Sequence, residues 1–235
     1  MDQSNKKNKR VVIKLSGSIF NIQDSIENVD ILKRYAEVLI NLNNTIQPIV
    51  ITGGGNIARL YIKLARNLGL DEASLDLIGI DVSRLNAKLL IASLGNYAYS
   101  NVPESLQDIC NFIESNKIIV SGGLHPGQST NATSSLIAEK TEAQEFINAT
   151  DVNGIYDSDP KINTNAQLLK QIKLDQCINM LLRGSSMAGE YDLMDIVSLK
   201  VIERSKINTK VILSTPENIK NAIEGKVYTG TEIIL

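Results

Sequence analysis

The sequence predicts an α/β protein in which a mainly parallel central sheet carries helices on both faces. Two observations predict this fold. Short β-branched runs alternate with segments of helical periodicity, and no internal repeat, low-complexity stretch or linker rich in proline or glycine interrupts them. The 235 residues, 43% of them hydrophobic, suffice to bury a core without disulfides or metals. We therefore expect a flexible basic arm over 1–9 and a single domain over 10–235.

The first half of the chain predicts three strands and three helices. The run 10–15 is short and β-branched, as a buried strand is, and apolar residues at helical spacing over 26–40 then predict a helix. The apolar run 48–52 predicts a second strand. Helices follow over 57–68 and 73–94, where leucine and isoleucine recur every three or four residues. A third strand is expected over 117–121, because Gly122 and Gly123 end it.

The second half continues the alternation. A helix over 131–142 precedes a strand over 145–150. The stretch 162–173 shows little periodicity and is predicted to be a loop. Helices near 175–182 and 193–206 lead to a strand over 209–214, and a short helix and a strand near 232–235 complete the prediction.

Charge and composition exclude several classes of protein. The net charge is −2 and no basic stripe is present, which argues against a nucleic-acid partner. No apolar run approaches the roughly 20 residues that span a bilayer, and no secretion signal is recognised, so a cytoplasmic protein without a membrane partner is expected. Cys110 and Cys177 lack metal-ligand spacing and are expected to be reduced thiols.

Glycine-containing turns follow three predicted strands, and this coincidence is the main functional signal. In parallel sheets, ligands bind beyond the carboxyl ends of strands. In the turn 14–18, Gly17 permits close approach of the backbone and Lys14 supplies a point charge, as a phosphate requires. In the turn 53–55, three glycines lead into a helix whose first N–H groups form an anion site. Arg59 on its first turn can bind phosphate oxygens with two N–H groups.

The third turn, 122–130, nearly matches a P-loop. Gly122 and Gly127 have the P-loop spacing and Ser129 has the right place, but Gln128 stands where the phosphate-binding lysine belongs. A P-loop NTPase is therefore rejected, although the hydroxyls at 129 and 130 and the loop amides can still hold one phosphate. His125 has no partner for a dyad and is predicted to be a turn residue. Ser-His-Asp hydrolysis is discounted because no nucleophile elbow is present.

A fourth segment, 150–160, follows the strand that ends at Thr150. It combines turn formers with the Tyr156 ring and several carboxylates. One interpretation is a surface turn. The other is a loop that brings an aromatic face and carboxylates near a nucleotide base or Mg²⁺, and its spacing does not match an EF-hand.

These four segments, in this order, resemble the amino acid kinase superfamily, and within it the archaeal group of UMP kinases. The resemblance rests on Lys-x-Ser-Gly at 14–17, Thr-Gly-Gly-Gly-x-x-Ala-Arg at 52–59, the segments 75–80 and 83–87, His-Pro-Gly-Gln-Ser-Thr at 125–130, Asn-Gly-Ile-Tyr-x-x-Asp-Pro at 153–160 and the late helix 195–205. It spans the chain from Val11 onward. It implies a three-layer αβα sandwich, a homohexamer, and transfer of the ATP γ-phosphoryl group to UMP in pyrimidine nucleotide synthesis.

The resemblance also implies roles for individual residues. The implied catalytic residues are Lys14 and Arg59. The implied ATP-binding residues are Lys14, Leu15, Ser16, Gly17, Ser18, Gly55, Arg59, Thr150, Asp151, Tyr156 and Asp159. The implied UMP-binding residues are Gly54, Asp76, Leu124, His125, Pro126, Gly127, Gln128, Ser129 and Thr130. No metal ligand is assigned, and Mg²⁺ is expected to accompany ATP. An acceptor lobe over 10–145 and an ATP lobe over 146–235 are expected. Asp76 is a candidate for the ribose hydroxyls or, alternatively, a solvated helix residue.

Three positions depart from the family pattern. Ser18 stands where relatives often carry a second lysine, while Asp151 and Asn153 replace an asparagine and an aspartate, as if exchanged. These departures keep two alternatives open: a kinase of another small acceptor, such as acetylglutamate or carbamate, and a non-catalytic nucleotide- or oxyanion-binding protein. The isopentenyl phosphate kinases are disfavoured because the stretch 56–59 lacks their histidine.

Overall fold

The computed structural model describes residues 9–21, 27–158, 163–182 and 193–235. Its centre is a seven-stranded sheet in the order β3-β2-β1-β4-β6-β7-β5. The strands are β1 Arg10–Leu15, β2 Gln47–Thr52, β3 Ile119–Ser121, β4 Glu145–Thr150, β5 Gln171–Lys173, β6 Asn208–Leu213 and β7 Gly230–Ile234. Every neighbouring pair is parallel except β6 and β7, which are antiparallel. The predicted α/β class and mainly parallel sheet are therefore confirmed.

Eight α-helices lie within the described part of the chain. They are α1 Glu27–Leu42, α2 Gly55–Asn67, α3 Glu72–Leu94, α4 Leu106–Phe112, α5 Thr130–Lys140, α6 Leu174–Leu182, α7 Ile196–Ser205 and α8 Pro216–Glu224. Short 3₁₀ turns follow β1, α3 and α4. None of the helices in the described ranges is both long and apolar enough to cross a membrane.

Two apolar clusters, one on each face of the sheet, form the core. Alternate residues of a strand point to opposite faces, so Val12 packs with α4 to α7 while Val11 and Ile13 pack with α1, α3 and α8. The central strands β1, β2 and β4 are covered on both sides, which explains the apolar runs 11–13 and 48–51 in the sequence, although β4 also carries the polar residues Glu145, Asn148 and Thr150. The result is three layers, with helices above and below the sheet. Cys110 and Cys177 are free thiols, as predicted.

The sheet order contains a switch point between β1 and β4. From β1 the chain builds outward through β2 to β3, and it then returns to place β4 on the other side of β1. Lys14 of β1 lies in register with Asn148 of β4 at the carboxyl ends of these strands. In open parallel sheets the loops on the two sides of such a point diverge and leave a crevice for a ligand. The topology thus selects the strand ends that carry Lys14 and Thr150.

Two elements were missed by the sequence prediction. The stretch 162–173 was expected to be a loop, but Gln171–Lys173 form the edge strand β5, with Gln171 opposite Glu232 of β7. The strand has three residues, and only the middle one, Ile172, is buried. A single buried residue shows no alternation of apolar and polar residues, so the sequence pattern does not reveal the strand. The short helix α4 was also missed; Ser105 caps its N-terminus by accepting a hydrogen bond from the Asp108 amide at 3.0 Å.

Candidate functional site

A cavity of about 820 Å³ opens at the carboxyl ends of β1, β2 and β4, at the switch point of the sheet. The residues that line it come from five separate segments of the chain. They are Lys14, Ser16, Gly17, Ser18, Asn21, Gly53, Gly54, Gly55, Asn56, Arg59, Thr130, Thr150, Asp151 and Leu193. Each of the four predicted functional segments therefore contributes to one cavity.

The turns after β1 and β2 are in direct backbone contact. A Cβ atom on Gly17 would lie 2.2 Å from the Gly55 amide nitrogen, and one on Gly53 would lie 3.0 Å from the Gly17 nitrogen. Gly55 itself has φ +64°, a conformation that favours glycine. The glycines thus allow the two turns to meet without side chains between them. Backbone amides from both strand ends reach the same place.

The N-terminus of α2 opens into this contact. Its N-cap, Gly54, has no side chain to satisfy the first amides. The Asn56 amide donates to Oδ1 of Asn21 at 2.8 Å, and the Ala58 amide donates to the Gly54 carbonyl at 3.3 Å. Within the described ranges, the Gly55 and Ile57 amides have no hydrogen-bond acceptor. Free amides at a helix N-terminus, together with the helix dipole, favour an anion here.

Two cations flank these amides. Lys14 is half-buried at the end of β1, and burial lowers the pKa of its ammonium group to about 8, with Asp151 acting in the opposite direction. Among the residues that the structure describes, Lys14 forms neither a hydrogen bond nor an ion pair. Arg59 lies exposed on the first turn of α2 and donates to Oδ1 of Asn56 at 3.2 Å. A buried ammonium without a counterion can bind an incoming anion without first breaking a salt bridge.

The two departures Ser18 and Asp151 lie together, 133 residues apart in sequence. The Ser18 hydroxyl donates to Oδ1 of Asp151. Oγ of Ser16 accepts from the Ser18 amide at 3.3 Å and lies 3.0 Å from Oγ of Ser18. Among the described residues that line the cavity, Asp151 is the single acidic one. The third departure, Asn153, is exposed and lies outside that lining.

The loop 122–130 follows strand β3, the neighbour of β2, and lies beside the cavity. Its backbone is held by α3: the Gly123 amide donates to the Ser83 hydroxyl at 2.8 Å, and the Gly127 amide donates to Oδ2 of Asp76 at 2.7 Å. The Asp76 carboxylate therefore anchors this loop in the structure, an interaction that the sequence did not predict. Of the residues assigned to this loop, only Thr130 reaches the cavity lining. Leu124 is buried in the core, whereas 125–129 are exposed along the rim.

Ser129 joins two helices. Its hydroxyl accepts from the Ala132 amide at 2.9 Å, which caps α5, and donates to Oδ2 of Asp195 at 2.5 Å. Asp195 in turn caps α7 by accepting from the Ser198 amide. The Ser129 hydroxyl is therefore engaged within the protein, and the α5 amides and Thr130 remain as the loop's groups beside the cavity.

Other predicted residues lie away from the cavity. The Leu15 side chain is fully buried, so only its backbone can take part in binding. Tyr156 pairs with Leu168 beyond the cavity lining, and the loop around it is fixed to β7, where the Ile155 amide donates to Oγ1 of Thr231 at 2.8 Å. Asp159 lies outside the described residues.

Sequence reasoning missed Asn21, Asn56 and Leu193, all of which line the cavity. The Leu193 carbonyl accepts from the side-chain amide of Asn131 at 3.2 Å and also from that of Asn148. These contacts join segments that are far apart in sequence, and neither asparagine belongs to a segment on which the family resemblance rests. The contact between the Asn21 side chain and the Asn56 amide likewise becomes visible only when the two turns are placed together.

Comparison with known proteins gives a consistent result. The model of the amino acid kinase family matches residues 9–213. A uridylate kinase of Sulfolobus acidocaldarius is 40% identical over 96% of this chain and 99% of its own length. Uridylate kinases of Methanoregula boonei and Archaeoglobus fulgidus are 42% and 39% identical over 92% and 95% of the chain.

The solved structures agree. The crystal structure of the uridylate kinase from Archaeoglobus fulgidus superposes with a TM-score of 0.86 at 38% identity, covering 95% of this chain and 99% of that one. A UMP kinase structure from Ureaplasma parvum, 24% identical, has a TM-score of 0.80 and supports the fold alone.

Proposed function

Because the chain belongs to the amino acid kinase family, we propose that it transfers the γ-phosphoryl group of ATP to UMP, giving UDP and ADP. The observation that carries this proposal is the cavity at the switch point, where Lys14, Arg59 and the free amides of α2 meet. The near full-length similarity to uridylate kinases supports UMP as the acceptor. As in the sequence prediction, we assign the reaction to pyrimidine nucleotide synthesis in the cytoplasm.

The chemistry explains why this reaction needs no general base. A phosphate monoester has a second pKa near 6, so the acceptor oxygen of UMP is largely ionised at neutral pH. Catalysis then requires two polyanions to be aligned and their charge to be offset. Lys14 and Arg59 supply fixed positive charge, and the amides of Gly55 and Ile57 supply donors. These groups stabilise the charge that spreads over the transferred phosphoryl group.

Two sides of the cavity fit the two substrates. We assign ATP to the side formed by the turn 14–18, Gly55, Thr150 and Asp151, with the lobe over 146–235. We assign UMP to Gly54 and Thr130 of the lining and to the neighbouring Asp76 and loop 124–129, with the lobe over 10–145. The adjacency of β2 and β3 supports this division, because it sets the loop 122–130 beside the turn 53–55. Asp76 would then bind ribose with the carboxylate that also holds the Gly127 amide.

We propose that Mg²⁺ enters with ATP. Within the described ranges, no group of three or more His, Cys, Asp or Glu side chains could hold a metal on its own. The Asp151 carboxylate and the Ser16 and Ser18 hydroxyls are oxygen ligands of the kind that Mg²⁺ accepts alongside phosphate oxygens. Bound there, Mg²⁺ would offset part of the phosphate charge.

The activity is tested by following ADP formation with Mg-ATP and a panel of acceptors. We expect UMP to give a kcat/KM at least roughly tenfold above that of CMP or dUMP. A site that forms hydrogen bonds with uracil and ribose leaves some of its polar groups unpaired when it binds cytosine or deoxyribose. Acetylglutamate and carbamate are expected to give no ADP above background. ADP formation with acetylglutamate but not with UMP would contradict UMP as the acceptor. If no acceptor gave ADP, the proposed kinase activity would be rejected.

We also propose that the chain forms homo-oligomers, with the hexamer of its family as the expected state. The neighbouring helices α2 and α3 expose an apolar face made of Leu60, Tyr61, Leu64, Leu68, Leu77, Leu85 and Leu89, each at least 40% exposed. An exposed apolar patch of this kind marks an interaction surface, and a second copy offers the same apolar face. The molar mass measured by light scattering should be at least twice the 25.7 kDa of one chain. Leu64→Asp should reduce the mass, and an unchanged mass would place the interface elsewhere.

A further inference from the structure

The Asp151 carboxylate places a negative charge in the cavity, so a phosphate that binds there needs a cation beside it. It shares the cavity lining with Lys14 and Gly55, which are assigned above to ATP. A carboxylate beside a triphosphate repels it unless a cation lies between the two. Lys14 shares the lining and is a candidate, but it forms no ion pair with Asp151 in the part of the chain that the structure describes.

Ser18 fixes one side of this carboxylate. The Ser18 hydroxyl donates to Oδ1, and Ser18 is itself held by Ser16, whose Oγ accepts the Ser18 amide at 3.3 Å. No described residue donates to Oδ2 of Asp151. A serine at position 18 therefore orients the carboxylate without offsetting its charge, and no residue in the described ranges occupies the second oxygen.

From this arrangement we propose that Asp151 is a direct ligand of the divalent cation carried by the nucleotide, held in place by Ser18. The inference rests on the proposed function, because it needs nucleotide phosphates in the cavity. In a Mg²⁺–nucleotide site the protein usually contributes one or two carboxylates, and phosphate oxygens and water supply the other ligands. Because this carboxylate takes part, nucleotide binding depends more strongly on the metal here than it would with a neutral asparagine at position 151.

Calorimetry separates this role from others. The dissociation constant of ADP is measured with excess EDTA and again with saturating Mg²⁺, for the native protein and for Asp151→Asn, which keeps the shape and removes the charge. For the native protein we expect Mg²⁺ to tighten ADP binding by at least about thirtyfold, since it both adds a ligand bond and removes a repulsion. For Asp151→Asn, ADP without metal should bind roughly tenfold more tightly than to the native protein, and the gain from Mg²⁺ should fall to a few-fold.

Matched controls complete the design. Asp175→Asn removes one exposed carboxylate at the start of α6, outside the cavity, and should leave both ADP constants unchanged. Ser18→Ala should weaken the gain from Mg²⁺ without strengthening metal-free binding, because the charge stays while its orientation is lost. An equal gain from Mg²⁺ in the native protein and in Asp151→Asn would overturn the inference while leaving the kinase proposal intact. If ADP bound under neither condition, both proposals would fail.

Discussion

Replacing Lys14 by methionine is expected to lower kcat by roughly a hundredfold or more, the usual result of removing a charged contact to the transition state. Methionine has a similar volume, so the packing around the end of β1 is preserved. Lys14 lines the same cavity as the N-terminus of α2, and among the described lining residues Arg59 is the only other cation. Initial rates of ADP formation at saturating UMP and Mg-ATP measure the effect.

The same substitution is expected to stabilise the ligand-free protein at pH 7. Burial lowers the pKa of Lys14 from 10.5 to about 8, so the folded state binds this proton more weakly than the unfolded chain does. The cost of the buried charge is therefore fully present below pH 8 and disappears as the pH rises towards 10.5. A shift of this size corresponds to about 3 kcal/mol of unfolding free energy.

Urea denaturation at pH 7 and at pH 10 tests this expectation. The methionine variant should be more stable than the native protein at pH 7, and the difference should shrink at pH 10. Lys200→Met serves as control, because Lys200 is exposed and paired with Glu203 at 2.8 Å, and it should change neither kcat nor stability by much. A Lys14→Met variant that keeps near-native kcat would remove Lys14 from catalysis. A variant less stable at pH 7 would contradict the assigned cost of burial.

Gly17→Ala is expected to disable the site by separating its two turns. The new Cβ would lie 2.2 Å from the Gly55 nitrogen and 2.6 Å from its Cα, both backbone atoms that cannot rotate away. Relief of this overlap moves the turn 14–18 away from α2, so kcat/KM should fall by at least roughly a hundredfold. The overpacking itself should cost about 1 to 3 kcal/mol of stability.

Gly69→Ala is the matched control for this prediction. Gly69 has φ +87°, but no neighbouring atom lies within 4 Å of the position that an alanine methyl group would take, so alanine there introduces backbone strain without a collision. It should lower the melting temperature while kcat/KM stays within about twofold of native. Native kcat/KM in Gly17→Ala, measured in the same assay, would show that close contact of the two turns is not needed.

The sequence predicted the framework of the site well for physical reasons. Buried parallel strands must be continuous apolar runs, and turns that approach a phosphate must contain glycine, so both features are visible in one chain. The Lys14 turn and the turn 53–55 were found this way, and the structure brings both into one cavity. The three-residue strand β5 was missed because only Ile172 of it is buried.

The contacts that complete the site could not be predicted, since they join distant segments through ordinary polar residues. Oδ2 of Asp76 accepts the Gly127 amide 51 residues away, and Ser129 donates to Asp195 66 residues away. The departures at 18 and 151 were each visible in the sequence. Only the structure shows that they form a hydrogen bond, which suggests that they are one coordinated change and not two independent losses.

The proposed reaction requires both substrates to bind in one shared cavity, with Lys14 beside the phosphoryl group that moves. A crystal structure of the protein with UMP, Mg²⁺ and a non-hydrolysable ATP analogue tests this directly. We expect the terminal phosphate of the analogue within hydrogen-bond distance of Nζ of Lys14, and the UMP phosphate between the turn 53–55 and the N-terminus of α5. A UMP phosphate bound elsewhere, or a terminal phosphate out of reach of Lys14, would contradict the account.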